Sequence, residues 1–148
     1  MNSLEKIVDK IEEIIDNNLI YNSFGEGNIW ELEGNTNISY PMVWLDADTI
    51  PHNIQEGMIT YNFDVYFLDL VDADESNELR IKSDTMRSAI DFVKYLKTIQ
   101  EDFYIQDDKT VNAQVFTEQW NDKLSGTKLT IAIDSRGSGD SCKNIFTY

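Results

Sequence analysis

The sequence predicts an α+β fold: an antiparallel β-sheet with two α-helices packed on one face. Three observations carry that reading. Between Met58 and Leu70 the apolar residues Ile59, Tyr61, Phe63, Val65 and Phe67 fall on alternate positions, with Thr60, Asn62 and Asp64 between them. That is the period of a strand with one dry and one wet face. Leu79, Met86, Ala89, Ile90, Val93 and Leu96 form a stripe at helical spacing. Leu4, Ile7, Val8, Ile11, Ile14, Ile15 and Leu19 form a second such stripe, with charged residues between them. A greasy sheet face and greasy helix stripes are expected to bury one another.

The chain has 148 residues, the size of one domain. Such a length buries about 68–70% of its unfolded surface. The reading divides it into an α+β body over 1–134 and a flexible C-terminal arm over 135–148. Charge is the unusual quantity: 27 Asp and Glu against 12 Lys and Arg give a net −15. Binding a phosphate backbone depends on clustered basic residues that release counterions, so this balance argues against nucleic-acid wrapping. It argues equally against anionic membrane surfaces. The surplus suits solubility, or a wall past which nucleic acid slides without sticking. Cys142 is the only cysteine, which excludes an internal disulfide and cysteine-based structural zinc. The first 18 residues lack the apolar run of a signal peptide, and synthesis in the cytoplasm is expected.

In chain order, the first helix is predicted to be capped by Asn2 or Ser3 and stopped by Asn17 and Asn18. Residues 22–37 hold Gly25, Gly27 and Gly34 and read as turns around a short strand, Ile29 to Leu32. Ile38 to Leu45 reads as a strand, with Pro41 suiting an edge or a bulge. Asp46 to Gly57, with Pro51 and His52, reads as a loop reaching away from the body. An acidic turn leads into the second helix, capped by Ser76 or Asn77. Strands are predicted from Phe103 and over Val111, Ala113 and Val115. A turn at Asn121 to Lys123 and Ser125-Gly126 closes a hairpin onto Leu129, Ile131 and Ile133. The tail from Ser135 is rich in Gly and Ser, yet ends in Ile145, Phe146 and Tyr148. It reads either as an arm docking on a neighbour or as a last short strand.

No catalytic constellation accompanies these elements, and no catalytic, cofactor or metal site is predicted. The acids from Asp69 to Glu78 are the obvious cation suspects. Counted from Asp72 as a calcium loop, however, Asn77 stands where Gly is required and Ser83 where Glu is required. A solvated helix entrance is the expected role. His52 is the only histidine, which leaves Ser-His-Asp chemistry poorly served. Cys142 lies in a Gly/Ser tail that could hardly hold an attacking geometry. Trp30, Trp44 and Trp120 suit a sugar-stacking platform or interface anchors. Trp44 is expected in the core and Trp120 at an interface. The candidate subunit-interface residues are Trp120, Pro51, His52, Ile145, Phe146 and Tyr148.

Tyr40-Pro-Met-Val-Trp-Leu-Asp, the strand Met58 to Leu70, Ser76-Asn-Glu-Leu, and Lys82-Ser-Asp-Thr-Met with its helix to Leu96 resemble small virion proteins of tailed bacteriophages. They look in particular like ring-forming neck and tail-terminator proteins, including those of Bacteroidetes-infecting, crAss-like phages. The resemblance implies a tail-terminator-like fold and a non-enzymatic, homo-oligomeric ring around the DNA channel. It implies contacts with portal, neck or tail proteins, passage of DNA without sticking, no membrane, and a place in the virion. The rival expectation from charge alone is an acidic inhibitor, of the immunity or DNA-mimic type, bound to a basic partner.

Overall fold

The computed structural model describes residues 4–18, 20–34, 38–99, 103–105, 110–120 and 122–136. Helix α1 spans Leu4–Asp16. Strand β1, Ser23–Glu26, precedes a 3-10 helix, Ile29–Gly34. β2 is Met42–Asp46, β3 Asn53–Gln55 and β4 Met58–Leu70. Helix α2, Glu78–Thr98, is followed by β5, Phe103–Tyr104, β6, Asn112–Gln119, and β7, Lys123–Arg136. Among the described residues these strands make one seven-stranded sheet in the order β1-β2-β4-β7-β5, with β3 beside β4 and β6 beside β7. The fold is therefore α+β as the periodicities predict, with one departure: β1 runs parallel to β2, while every other pair is antiparallel.

β4 and β7 are the spine, paired from Met58 opposite Arg136 to Leu70 opposite Leu124. The inner face of the sheet carries Phe63, Val65 and Phe67 from β4, Val43 and Leu45 from β2, and Leu129, Ile131 and Ile133 from β7. Both helices cover it. α1 buries Ile7, Ile11 and Ile15; α2 buries Ile81, Thr85, Ala89, Phe92 and Leu96. The buried side of α2 is thus rotated from the stripe the sequence suggested: Leu79 is 79% exposed and Ile90 48%. Thr85 holds a core position because its hydroxyl donates to Ile81 O at 2.7 Å and meets the Thr127 hydroxyl at 2.9 Å. A satisfied hydroxyl is tolerated where a bare one is not.

The outer face is not the wet surface that Thr60, Asn62 and Asp64 suggest. From Tyr66 onward it carries a second, smaller core: Met42, Trp44, Leu68 and Leu124, capped by Ile29 and Leu32. Ile29 to Leu32 is 3-10 helix and not a strand, because its two buried residues are three apart and face one patch of sheet. The Asp46 carboxylate fixes it there, accepting from the backbone N–H of Ile29 at 3.0 Å, of Asp48 at 2.8 Å and of Thr49 at 3.1 Å. The Thr49 hydroxyl donates to it as well, at 2.6 Å.

Ser125 and Gly126 lie within β7 rather than in its turn. A Cβ on Gly126 would sit 1.8 Å from Phe67 O, so close approach of the two spine strands demands glycine here. The Asp46 to Gly57 segment also departs from expectation. Through Glu56 and Gly57 (φ +74) it turns β3 back along Met58 to Thr60. The residues 137–148, with Cys142, Ile145, Phe146 and Tyr148, lie outside the described residues, and β7 continues to Arg136 past the predicted end of the body.

Candidate functional site

The features able to engage another molecule gather on and beside β6. This strand pairs only with β7 among the described residues, from Asn112 opposite Thr130 to Gln119 opposite Lys123. Among the described residues no strand pairs with its other edge. Six of its eight residues are exposed and only Glu118 is charged. It holds neither Lys nor Pro, the usual guards of a free edge.

On the outer side of β6 a groove of about 210 Å³ opens between the hairpin and the 3-10 helix, lined mainly by Trp30, Tyr66, Phe116, Trp120 and Lys128. Register builds it. Tyr66 on β4, Lys128 on β7 and Gln114 on β6 stand in one row across three strands. In the next row Gly126 lies between Leu68 and Phe116 and has no side chain to fill the gap. Phe116 meets Tyr66 edge-on at 5.8 Å and Trp120 at 6.2 Å, the geometry aromatic quadrupoles prefer. Burial, with Asp64, Asp46 and Glu118 nearby, raises the Tyr66 phenol above its ordinary value and keeps it protonated. Trp44 lies beneath, its indole N–H donating to Gly27 O at 3.0 Å.

The three tryptophans therefore separate. Trp30, 70% exposed, and the half-buried Trp120 line the groove, while Trp44 is core. Pro51 is exposed, but His52 does not project. Its Nδ1 accepts from the Asn62 backbone N–H at 3.0 Å, which leaves Nε2 to donate to Ala47 O at 3.1 Å. The ring packs edgewise on Tyr61 at 5.5 Å. His52 thus braces the β3 turn. Ile145, Phe146 and Tyr148 lie outside the described residues.

The acidic turn is spent on local bonds. Asp69 and Asp74 accept from the backbone N–H groups of Leu70 and Ser76, and Glu75, at φ 61, pairs with Lys123. Asn77 occupies the cap position of α2, yet its amide bonds Asp72 N–H and Leu70 O across the turn. The Glu78 carboxylate, accepting from the Thr117 hydroxyl at 2.7 Å and paired with Lys82, is held below the usual carboxylate range. Among the described residues no three His, Cys, Asp or Glu side chains converge on a metal position. No described helix is long and apolar enough to cross a membrane. The β6 edge escaped the sequence reading, since a strand's partners and free side are set by topology, not composition. Neither protein-family models nor curated proteins give a match to this chain.

Proposed function

We propose that the chain is a structural subunit of a tailed-phage particle, assembling as a homo-oligomeric ring at the neck or tail terminus. The order of elements and the residue texture of Tyr40 to Leu96 support the reading. One observation carries it furthest: an eight-residue strand edge, nearly uncharged within a chain of net −15. An unguarded edge is a template for another strand. Like-charged copies meet with least repulsion where charge is sparsest, and β6 is such a place. The aromatic groove beside it offers Trp120 and Trp30 as anchors of the kind that dominate subunit contacts.

In this role the protein performs no chemistry. Its carboxylates coat a channel along which the phosphate backbone is repelled and moves freely. Other neck, portal or tail proteins are its neighbours, and the virion its location. Light scattering with negative-stain imaging of the purified protein tests the proposal. Closed rings with a central opening are the expected result, and Val115→Lys on the β6 edge dissolves them while leaving the thermal transition in place. A stable monomer that blocks a basic enzyme would replace this reading with the acidic-inhibitor one.

A further inference from the structure

The groove beside β6 and the start of segment 137–148 stand far apart along β7. That strand ends at Arg136, opposite Met58. The groove lies eight to ten residues back, where Lys128 and Gly126 stand opposite Gln114 and Phe116. At about 210 Å³ it is smaller than the roughly 300–1,000 Å³ clefts that enclose small-molecule ligands. It suits single side chains. Along β6, Gln114 and Phe116 share the outer face with Tyr66 and Leu68, while Val115 and Thr117 share the inner one with Phe67. The edge therefore offers an aromatic wall on one face and Val115, 41% exposed, on the other. A strand that fits it carries aromatic residues two apart and an aliphatic one beside them. Ile145-Phe146-Thr147-Tyr148 is such a segment. When extended, it puts Phe146 and Tyr148 on one face and Ile145 and Thr147 on the other. Asn144 to Tyr148 carry no charge, and β6 carries only that of Glu118.

We infer that residues 144–148 of a second copy of this chain add a strand to the outer edge of β6. Phe146 and Tyr148 then sit against Phe116, Trp120 and Trp30, and Ile145 lies beside Val115. Main-chain bonds along the edge supply affinity and the groove supplies specificity, the division of labour of strand addition. The chain's own segment is the poorer occupant. Phe116 is level with Gly126, ten residues back from Arg136, and Phe146 lies ten residues on. A return along the sheet brings Phe146 level with Phe116 only if no residue is spent on the turn, and a tight reversal takes about two. The returning chain must also pass outside β5, which flanks β7 at Asp134 and Ser135. Between copies neither limit applies. Arm and groove are different surfaces, so each copy gives an arm to one neighbour and receives one from another. Such a head-to-tail contact closes into a ring where the rotation allows. This inference rests on the ring reading and names its joint.

Two full-length variants test it. Phe146→Ser with Tyr148→Ser alters the arm, and Trp30→Ser with Val115→Lys alters the groove and its edge. Trp30 and Val115 are exposed, and matching circular dichroism and thermal midpoints establish that both proteins fold. Light scattering of each variant alone is expected to show the 17.1 kDa of one chain in place of a ring. Mixed in equal amounts, the two should reach twice that mass and no more, since each pair keeps one intact arm and one intact groove. A peptide of residues 137–148 in excess should dissolve the wild-type rings, a readout that needs no variant. The same peptide with Phe146→Ser should leave them whole. Rings that persist in the arm variant overturn the inference and leave the ring reading standing. A mixture that stays at the mass of one chain overturns it as well, as does a wild-type peptide without effect. A wild-type protein that forms no ring removes the ring reading, and this inference with it.

Discussion

Both faces of β4 are buried, but different means bury them. The inner face meets two helices whose stripes were written for it, and Phe63, Val65 and Phe67 vanish under α1 and α2. The outer face is covered only over its second half, by a six-residue 3-10 helix hung from the Asp46 carboxylate. Toward Thr60 and Asp64 the outer face is closed by polar pairs instead. The Thr60 hydroxyl donates to Asp134 at 2.6 Å and the Thr130 hydroxyl to Asp64 at 2.8 Å. Periodic hydrophobicity builds the first face; register and individual hydrogen bonds build the second. The difference teaches that a polar residue in a strand does not announce a wet surface. Asp46, Asp64 and Asp134 are all buried.

The largest effect is expected where the two faces share a strand. Gly126→Ala would force a Cβ against Phe67 O, and the spine strands must part to admit it. A loss of about 4 kcal/mol or more, the range reserved for core overpacking and similar faults, is expected in urea unfolding. A loss under about 1 kcal/mol would show that β7 shifts freely against β4, and the outer core would then be loosely registered. Next come paired truncations. Phe63→Ala on the inner face should cost about 3–5 kcal/mol, and Leu68→Ala on the outer face about 2–3 kcal/mol. The smaller outer cost follows if the 3-10 segment settles into the space. Equal costs would mean that the outer core is as unyielding as the inner one.

Thr85→Val removes the hydroxyl that joins α2 to Thr127 while keeping the shape. Its expected cost is about 1–2 kcal/mol, since Thr127 is left buried without that partner. Replacing both threonines by valine should recover most of it.

What was legible in the sequence follows the same division. Strict alternation revealed β4 to the residue, and three- and four-residue spacing revealed both helices. The rotation of α2 was missed because Thr85, a polar residue, occupies the centre of its buried side, while Leu79 and Ile90 carry apolar character outward. The 3-10 helix was read as a strand because Ile29 and Leu32 are too few to set a period. Trp120 was legible as an aromatic beside a turn, but its groove was not. Trp30, Tyr66 and Phe116 come from three separate elements and meet only once the sheet order is known. The β3 turn, with His52 folded inward, depends on a hydrogen bond to Asn62 ten residues on, which no local pattern encodes.

A pH titration separates the faces by smaller effects. Burial under the helices raises the Tyr21 phenol from 10 to about 12, against a lowering contribution from Ser88. A group whose folded pKa is raised contributes stability that is whole below the unfolded value and lost as pH climbs through the folded one. The thermal midpoint should therefore fall between pH 10 and about 12, and Tyr21→Phe should flatten that decline. Asp69, raised by desolvation first and lowered by the Leu70 N–H and Arg80 in part, obeys the same sign at the acidic end. Its carboxylate is at a disadvantage in the folded chain above the ordinary carboxylate range, an advantage returning only as pH falls. Asp69→Asn keeps an oxygen for the Leu70 N–H and removes the charge. A slightly higher midpoint at neutral pH, unchanged at pH 3, is the expected result. A lower midpoint at neutral pH would mean that attraction to Arg80 outweighs burial, and that the rim of α2 is held by its charges more than by its packing.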